Sequence, residues 1–124
     1  MPEPSYLTVL TGIGGLVSIL VSSLLVLQNY FHPSQDTRRI KIHCYIGLTA
    51  FLLALIHALT ANRYSPNISG MISLGLLFIG NTMGVVMRFL PEAGGIRFHA
   101  RSYHPAVVLG LVITGAIHVS SWLF

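Results

Sequence analysis

Four of the six histidines in this chain are paired by spacing. His43 and His57 are fourteen residues apart in the stretch IHCYIGLTAFLLALIH, and His104 and His118 are fourteen apart in HPAVVLGLVITGAIH. Fourteen residues of α-helix rise about 21 Å and return the side chains to within about 40° of one face. In a left-handed bundle with a 3.5-residue repeat, fourteen is two whole heptads. If the two segments run parallel as neighbours, His43 is level with His104 and His57 with His118, which makes two facing imidazole pairs. Zinc takes three or four protein ligands, and no third donor accompanies either pair. Copper would want a thiolate or thioether at the same level. Haem iron needs two axial ligands, because the porphyrin supplies four equatorial nitrogens, and two imidazoles leave no open position, which suits electron transfer. The plainer alternative is four buried histidines hydrogen-bonded to backbone carbonyls. His32 and His99 lie in polar connections without a partner at this spacing. They read as surface histidines, or as groups that move a proton at a quinone site.

The segments that position these histidines are apolar. Of 124 residues, 53% are hydrophobic and 8% charged, with a mean hydropathy of +0.75. So few charges cannot cover the surface of a small water-soluble domain. Leu7 to Leu27, Cys44 to Ala61, Ile68 to Met87 and Ala106 to Phe124 carry no charge. Each is near the roughly 20 residues that span a hydrocarbon core as a helix, and each is too uniformly apolar for a barrel strand. The expected fold is all-α, an integral membrane up-down four-helix bundle forming one domain over residues 1–124. Its helices are expected at about 6–28, 38–61, 67–90 and 103–124. Short connections make consecutive helices antiparallel neighbours. Pro33 and Pro91 end helices 1 and 3, and Asp36 or Thr37 can cap helix 2. The first apolar run lacks a basic leader, with Glu3 the only nearby side-chain charge, and reads as a retained helix. His43 and His104 fall in the first turns of helices 2 and 4.

Charge reports topology. Arg38, Arg39 and Lys41 lie after helix 1, Arg88, Arg97 and Arg101 lie around the third connection, and Arg63 alone lies in the second. Six basic residues on one side against one on the other place the first and third connections in the cytoplasm and both termini outside. The net charge of +4 is thereby used for orientation, and no nucleic-acid partner is expected. The lone Cys44 excludes an intramolecular disulfide, a thiolate metal site and C-x-x-C-H haem attachment. It reads as a buried structural thiol.

Small residues follow the histidines. Gly70 and Gly84 are also fourteen apart, Gly12, Gly14 and Gly15 lie at the outer end of helix 1, and Gly47 and Gly110 follow the inner histidines. Glycines let a large flat ring sit between helices that otherwise pack 8–10 Å apart, although small residues are common in membrane helices in any case. Arg88 and Arg101 inside, and Arg63 outside, are candidate partners for haem propionates, with membrane orientation as the plainer role of each.

Two parallel helices, each with H-x13-H and separated by one helix, resemble the haem-binding core of cytochrome b in quinol-oxidising respiratory and photosynthetic complexes. Arg39…His43…Gly47…His57 also looks like the histidine helices of the ferric reductase and NADPH oxidase membrane domain. The resemblance implies two haem b groups, His43 with His104 on the cytoplasmic side and His57 with His118 on the outer side. Gly14, Gly47, Gly70 and Gly84 would then clear room for the rings. Pro91-Glu92 lacks the Trp-Tyr of the quinol-oxidation motif, and no flavin or nicotinamide domain follows helix 4.

The expected function is transmembrane electron transfer between a quinone or quinol pool and a partner redox subunit. The membrane is a plasma or other energy-transducing one, and other subunits or a homo-oligomer are the expected protein partners. An electron-transfer subunit is expected rather than a complete enzyme. The alternatives are a stand-alone quinol oxidase or metal reductase using the same haems, and a haem-free four-helix transporter or assembly factor.

Overall fold

The computed structural model describes residues 5–33, 37–61, 67–90, 92 and 94–123, with the backbone alone for Leu123. All regular structure among them is helical: α1 (Tyr6–Phe31), α2 (Arg38–Ala61), α3 (Ile68–Phe89) and α4 (Gly94–Leu123). All four are long and apolar enough to cross a membrane. Asp36, Arg63 and Pro91, which figured in the reading of caps, charges and turns, lie outside the described residues.

The chain divides into two compact units, Met1–Ala61 and Asn62–Phe124. In the first, α1 and α2 form an antiparallel hairpin. Thr8, near the start of α1, meets His57 near the end of α2, and Ser22 meets His43. Their backbones come close midway: a Cβ built on Gly15 would lie 3.7 Å from the Ala54 nitrogen and 3.8 Å from the Ala50 carbonyl oxygen. Small side chains on both helices permit this approach, and packing of this kind holds helices together where lipid removes the hydrophobic drive between them.

In the second unit, α3 and α4 are likewise antiparallel. Asn67 Nδ2 donates to Ser121 Oγ at 3.1 Å, and Ser73 Oγ donates to Thr114 Oγ1 at 2.9 Å. Asn67 also caps α3, its Oδ1 accepting from the backbone N–H groups of Ser69 and Gly70. One side chain thus caps one helix and ties down its neighbour. Asn67→Ala is expected to destabilise this hairpin by about 1 kcal/mol for the lost cap. Thermal unfolding in detergent against the unaltered chain checks it.

The distribution of side chains is inverted relative to a water-soluble protein. Buried residues are small or polar (Thr8, Thr11, Gly15 and Ser22 on α1, Ala50 on α2), with Leu77, Ala100 and Leu111 the buried apolar ones of the second unit. Large apolar side chains such as Leu10, Phe78 and Ile113 are more than half exposed. Exposed apolar surface on this scale is not tolerated in water, and a hydrocarbon surround removes the cost.

α2 and α3 keep the expected boundaries to within a residue, and those of α1 and α4 differ from the sequence reading. α1 runs on to Phe31, where the His32 N–H closes it on the Gln28 carbonyl. No described side chain caps α2, whose Lys41 N–H donates to the Thr37 carbonyl oxygen. The largest difference is α4, which begins at Gly94 and not near 103, and continues through Pro105. His104 therefore lies in the third turn, and the basic stretch is helix. Ile96, His99, Ala100 and Tyr103 share one helical face, the i, i+3, i+4, i+7 pattern. That face lines an open apolar cavity of about 420 Å³ against Phe78, Met83 and Val86 of α3. At about 1.5 Å per residue, α4 is some 45 Å long, against a hydrocarbon core of about 30 Å. Its first turns, with Arg97 and Arg101 exposed, fit the polar boundary of a membrane.

Candidate functional site

His43 and His57 sit on the same face of α2, because both turn their Nδ1 atoms to α1. His57 Nδ1 donates to the backbone carbonyl of Thr8 at 2.8 Å. His43 Nδ1 lies 3.1 Å from the Ser22 carbonyl oxygen and 2.7 Å from Ser22 Oγ. The two carbonyls are themselves fourteen residues apart on α1, so the spacing on α2 is matched by the spacing of its anchors.

These contacts fix the tautomers. A carbonyl oxygen can only accept, so Nδ1 carries the proton in both rings, and in the neutral imidazole the lone pair is then at Nε2. For His43 the alternative, with Ser22 donating to a bare Nδ1, would set the nitrogen lone pair against the Ser22 carbonyl oxygen. A metal-ligating histidine usually donates its other ring N–H to a carbonyl or carboxylate in this way. This is equally the arrangement of a buried histidine that is merely satisfied.

Glycine decides where the His57 ring can lie. A Cβ on Gly12 would come within 2.9 Å of His57 Cε1 and Nδ1, so the imidazole occupies the space that the missing side chain leaves. Thr11, beside this seat, donates its hydroxyl to the Leu7 carbonyl at 2.7 Å and to the Thr8 carbonyl at 3.2 Å. The Thr8 carbonyl thus holds a hydroxyl from its own helix and an imidazole from the next.

The second hairpin repeats this seat. A Cβ on Gly70 would lie 2.9 Å from His118 Cε1 and 3.0 Å from its Nδ1. Near the earlier histidine of α4, a Cβ on Gly80 would be 4.0 Å from His104 Cε1. Gly12 and Gly70 therefore perform the same task in two hairpins, each under the later histidine of the following helix.

The structure places the other candidate residues as follows. Gly14 faces Leu53, whose Cδ1 would be 3.2 Å from an added Cβ, and not a histidine; the neighbouring Gly12 is the seat. An added Cβ at Gly84 meets nothing within 4 Å, and Gly80 rather than Gly84 lies beside His104. Gly47 is half-buried on α2, one turn beyond His43, and Cys44 is half-buried on the same helix. Arg88 is exposed in the last turn of α3, where its charge suits the helix dipole, and Arg101 is exposed on α4. All four spaced histidines are half-buried, whereas His32 and His99 are exposed. His99 belongs to α4 and not to a connection, with its ring stacked on Tyr103 at 6.0 Å.

The residues that sequence reasoning missed are Thr8 and Ser22, and among the helix 1 glycines it singled out Gly14 where Gly12 is the seat. Thr8 and Ser22 share the histidines' fourteen-residue spacing on the preceding helix, which was the available signal. Among the described residues, no three histidine, cysteine, aspartate or glutamate side chains converge on one point. The donor set of each hairpin is one imidazole at each of two levels. Compared with protein-family models, curated proteins and solved structures, the chain finds no match.

Proposed function

We propose that this chain is a transmembrane electron conductor that holds two b-type haems in an up-down four-helix bundle. His43 with His104 would ligate one and His57 with His118 the other. The observation that carries this reading is the pinning of two imidazoles to one face of α2 by carbonyls fourteen residues apart, with the same histidine spacing repeated on α4. The residues present fit such a group. On α2 the fixed Nδ1–H of His43 and of His57 leaves Nε2 as the donor atom, the glycine seats set the rings of His57 and His118, and single imidazoles suit a metal that brings its own equatorial ligands.

Bound haem would supply a one-electron ferric/ferrous couple. The chain's own part is to hold the axial nitrogens at two depths, to exclude water with apolar helices and to set the potentials through what touches each imidazole. Crossing the membrane as an electron along fixed sites avoids the cost of moving bare charge through hydrocarbon. A quinone or quinol is the proposed small partner, supported by the apolar cavity walled by the stacked rings of His99 and Tyr103. A redox subunit or a second copy of the chain is the proposed protein partner. The basic residues beside α2 and α4 support a cytoplasmic side for the first and third connections.

A second reading is favoured by the same hydrogen bonds: a haem-free helical protein whose histidines are structural. The purified chain separates the two. A reduced-minus-oxidised spectrum with pyridine haemochrome quantification is expected to give two b-type haems per chain. A colourless preparation, from cells supplied with haem, would end the haem reading. Turnover of quinol or ferric chelate by the chain alone would make it a complete enzyme.

A further inference from the structure

Hydroxyl side chains in α1 have a default partner. Thr11, Ser18 and Ser23 each donate to the carbonyl four residues back, at 2.7, 2.8 and 2.9 Å, as serine and threonine do in membrane helices. Ser22 does otherwise. Its Oγ reaches across to α2, where it lies 2.7 Å from His43 Nδ1 and donates to the His43 carbonyl oxygen at 3.4 Å. The Ser22 carbonyl can only accept, so the proton is on Nδ1 and is shared between that carbonyl at 3.1 Å and the lone pairs of the hydroxyl oxygen at 2.7 Å. Ser22 is 6% exposed, so water does not compete effectively for these contacts. One residue thus grips both the ring and the backbone of His43.

We infer that Ser22 is a positioning residue for His43. It holds the Nδ1–H tautomer, aims Nε2 as the donor atom, and increases the electron density that Nε2 can give to a metal. The inference deepens the proposed function and rests on it for the last of these effects. The first stands on the hydrogen bonds alone. An acceptor at Nδ1–H gives an imidazole partial imidazolate character and makes it a stronger ligand. A stronger ligand favours the ferric over the ferrous state, so losing the hydroxyl raises the midpoint potential of the haem that His43 ligates.

The test uses the full chain in detergent with Ser22→Ala, Ser22→Cys and Ser22→Thr. Cysteine keeps the volume with a much weaker acceptor, and threonine keeps the hydroxyl. Nitrogen-15 resonances of the His43 ring in haem-free protein report its tautomer. The ratio of Nδ1–H to Nε2–H is expected to fall roughly five-fold in the alanine and cysteine variants, the worth of one ordinary hydrogen bond, and to recover with threonine. Redox titration of the haem-loaded protein should show one midpoint rising in the alanine and cysteine variants, with the other unmoved. An unchanged tautomer ratio in both variants overturns the role of Ser22, whether or not the chain takes haem. A changed ratio with an unmoved potential overturns its electronic part. If the unaltered chain takes no haem, the proposed function fails, while the tautomer measurement still decides whether Ser22 positions His43.

Discussion

Replacing His57 with leucine is expected to remove one haem and spare the other, and replacing His118 is expected to remove the same one. His43→Leu and His104→Leu should each remove the other. Ligand number decides the outcome. A haem held by two axial imidazoles between helices loses half its protein ligation when one is deleted, and an aliphatic side chain offers no replacement donor. The rest of the hairpin is not asked to change. Leucine suits a membrane helix, and His57 contributes to packing chiefly through its contacts with Thr8 and Gly12. The measurement is haem per chain, with the absorption and potential of what remains. Four single variants that fall into two spectral classes, split by depth and not by helix, are what the facing-pair arrangement requires. Classes split by helix would mean that His43 and His57 serve one site, and the two-level proposal would fail. Variants that keep full haem content would mean that the imidazoles are structural.

The part of this arrangement legible from sequence is the part written in side-chain type. The H-x13-H spacing and the four apolar runs follow from which residues are imidazole and which are aliphatic, and each run, over its described residues, lies within one of the four helices. What was not legible depends on the main chain and on helix phase. Thr8 and Ser22 hold the histidines partly through backbone carbonyls, which every residue possesses, so residue type gives little notice of them. Gly12 and Gly14 differ by two positions, about 200° around a helix, and packing alone determines which of them meets His57. The start of α4 was hidden by its content: glycine and arginine suggest a connection, but Ile96, Ala100 and Tyr103 keep helical phase through it.

The likeness of the two hairpins was hidden for a related reason. The seat glycines Gly12 and Gly70 are 58 residues apart, whereas His57 and His118 are 61 apart. No single period aligns both. The three-residue slip comes from α4, which runs 24 residues from Gly94 to His118 against 19 from Arg38 to His57, less two in a shorter connection, and the hairpins keep the relation between glycine and imidazole.

That relation makes the second large prediction, because at Gly12 and Gly70 stability and ligand geometry should move in opposite directions. Neither glycine has a positive φ, so alanine fits the backbone, and its higher helix propensity contributes about 0.5–1 kcal/mol. The added Cβ would, however, lie 2.9 Å from His57 Cε1 in Gly12→Ala and 2.9 Å from His118 Cε1 in Gly70→Ala. Ordinary carbon contacts begin near 3.5 Å, so each ring has to retreat by about half an ångström. An imidazole at the end of its side chain can do that cheaply, and the fold survives. A metal bond cannot stretch so far, since ligand distances hold to about 0.2 Å. Both variants are therefore expected to melt no lower than the unaltered chain, yet to bind one haem some 10–100-fold more weakly, the usual cost of disturbing a ligand's supporting shell. The affected haem should be the same in both, the one lost in His57→Leu. Gly75→Ala, where an added Cβ meets nothing within 4 Å, should leave both haems in place. The pairing of His57 with His118 is refuted if Gly12→Ala weakens one haem and Gly70→Ala the other, because two seats under one pair of ligands cannot act on different sites.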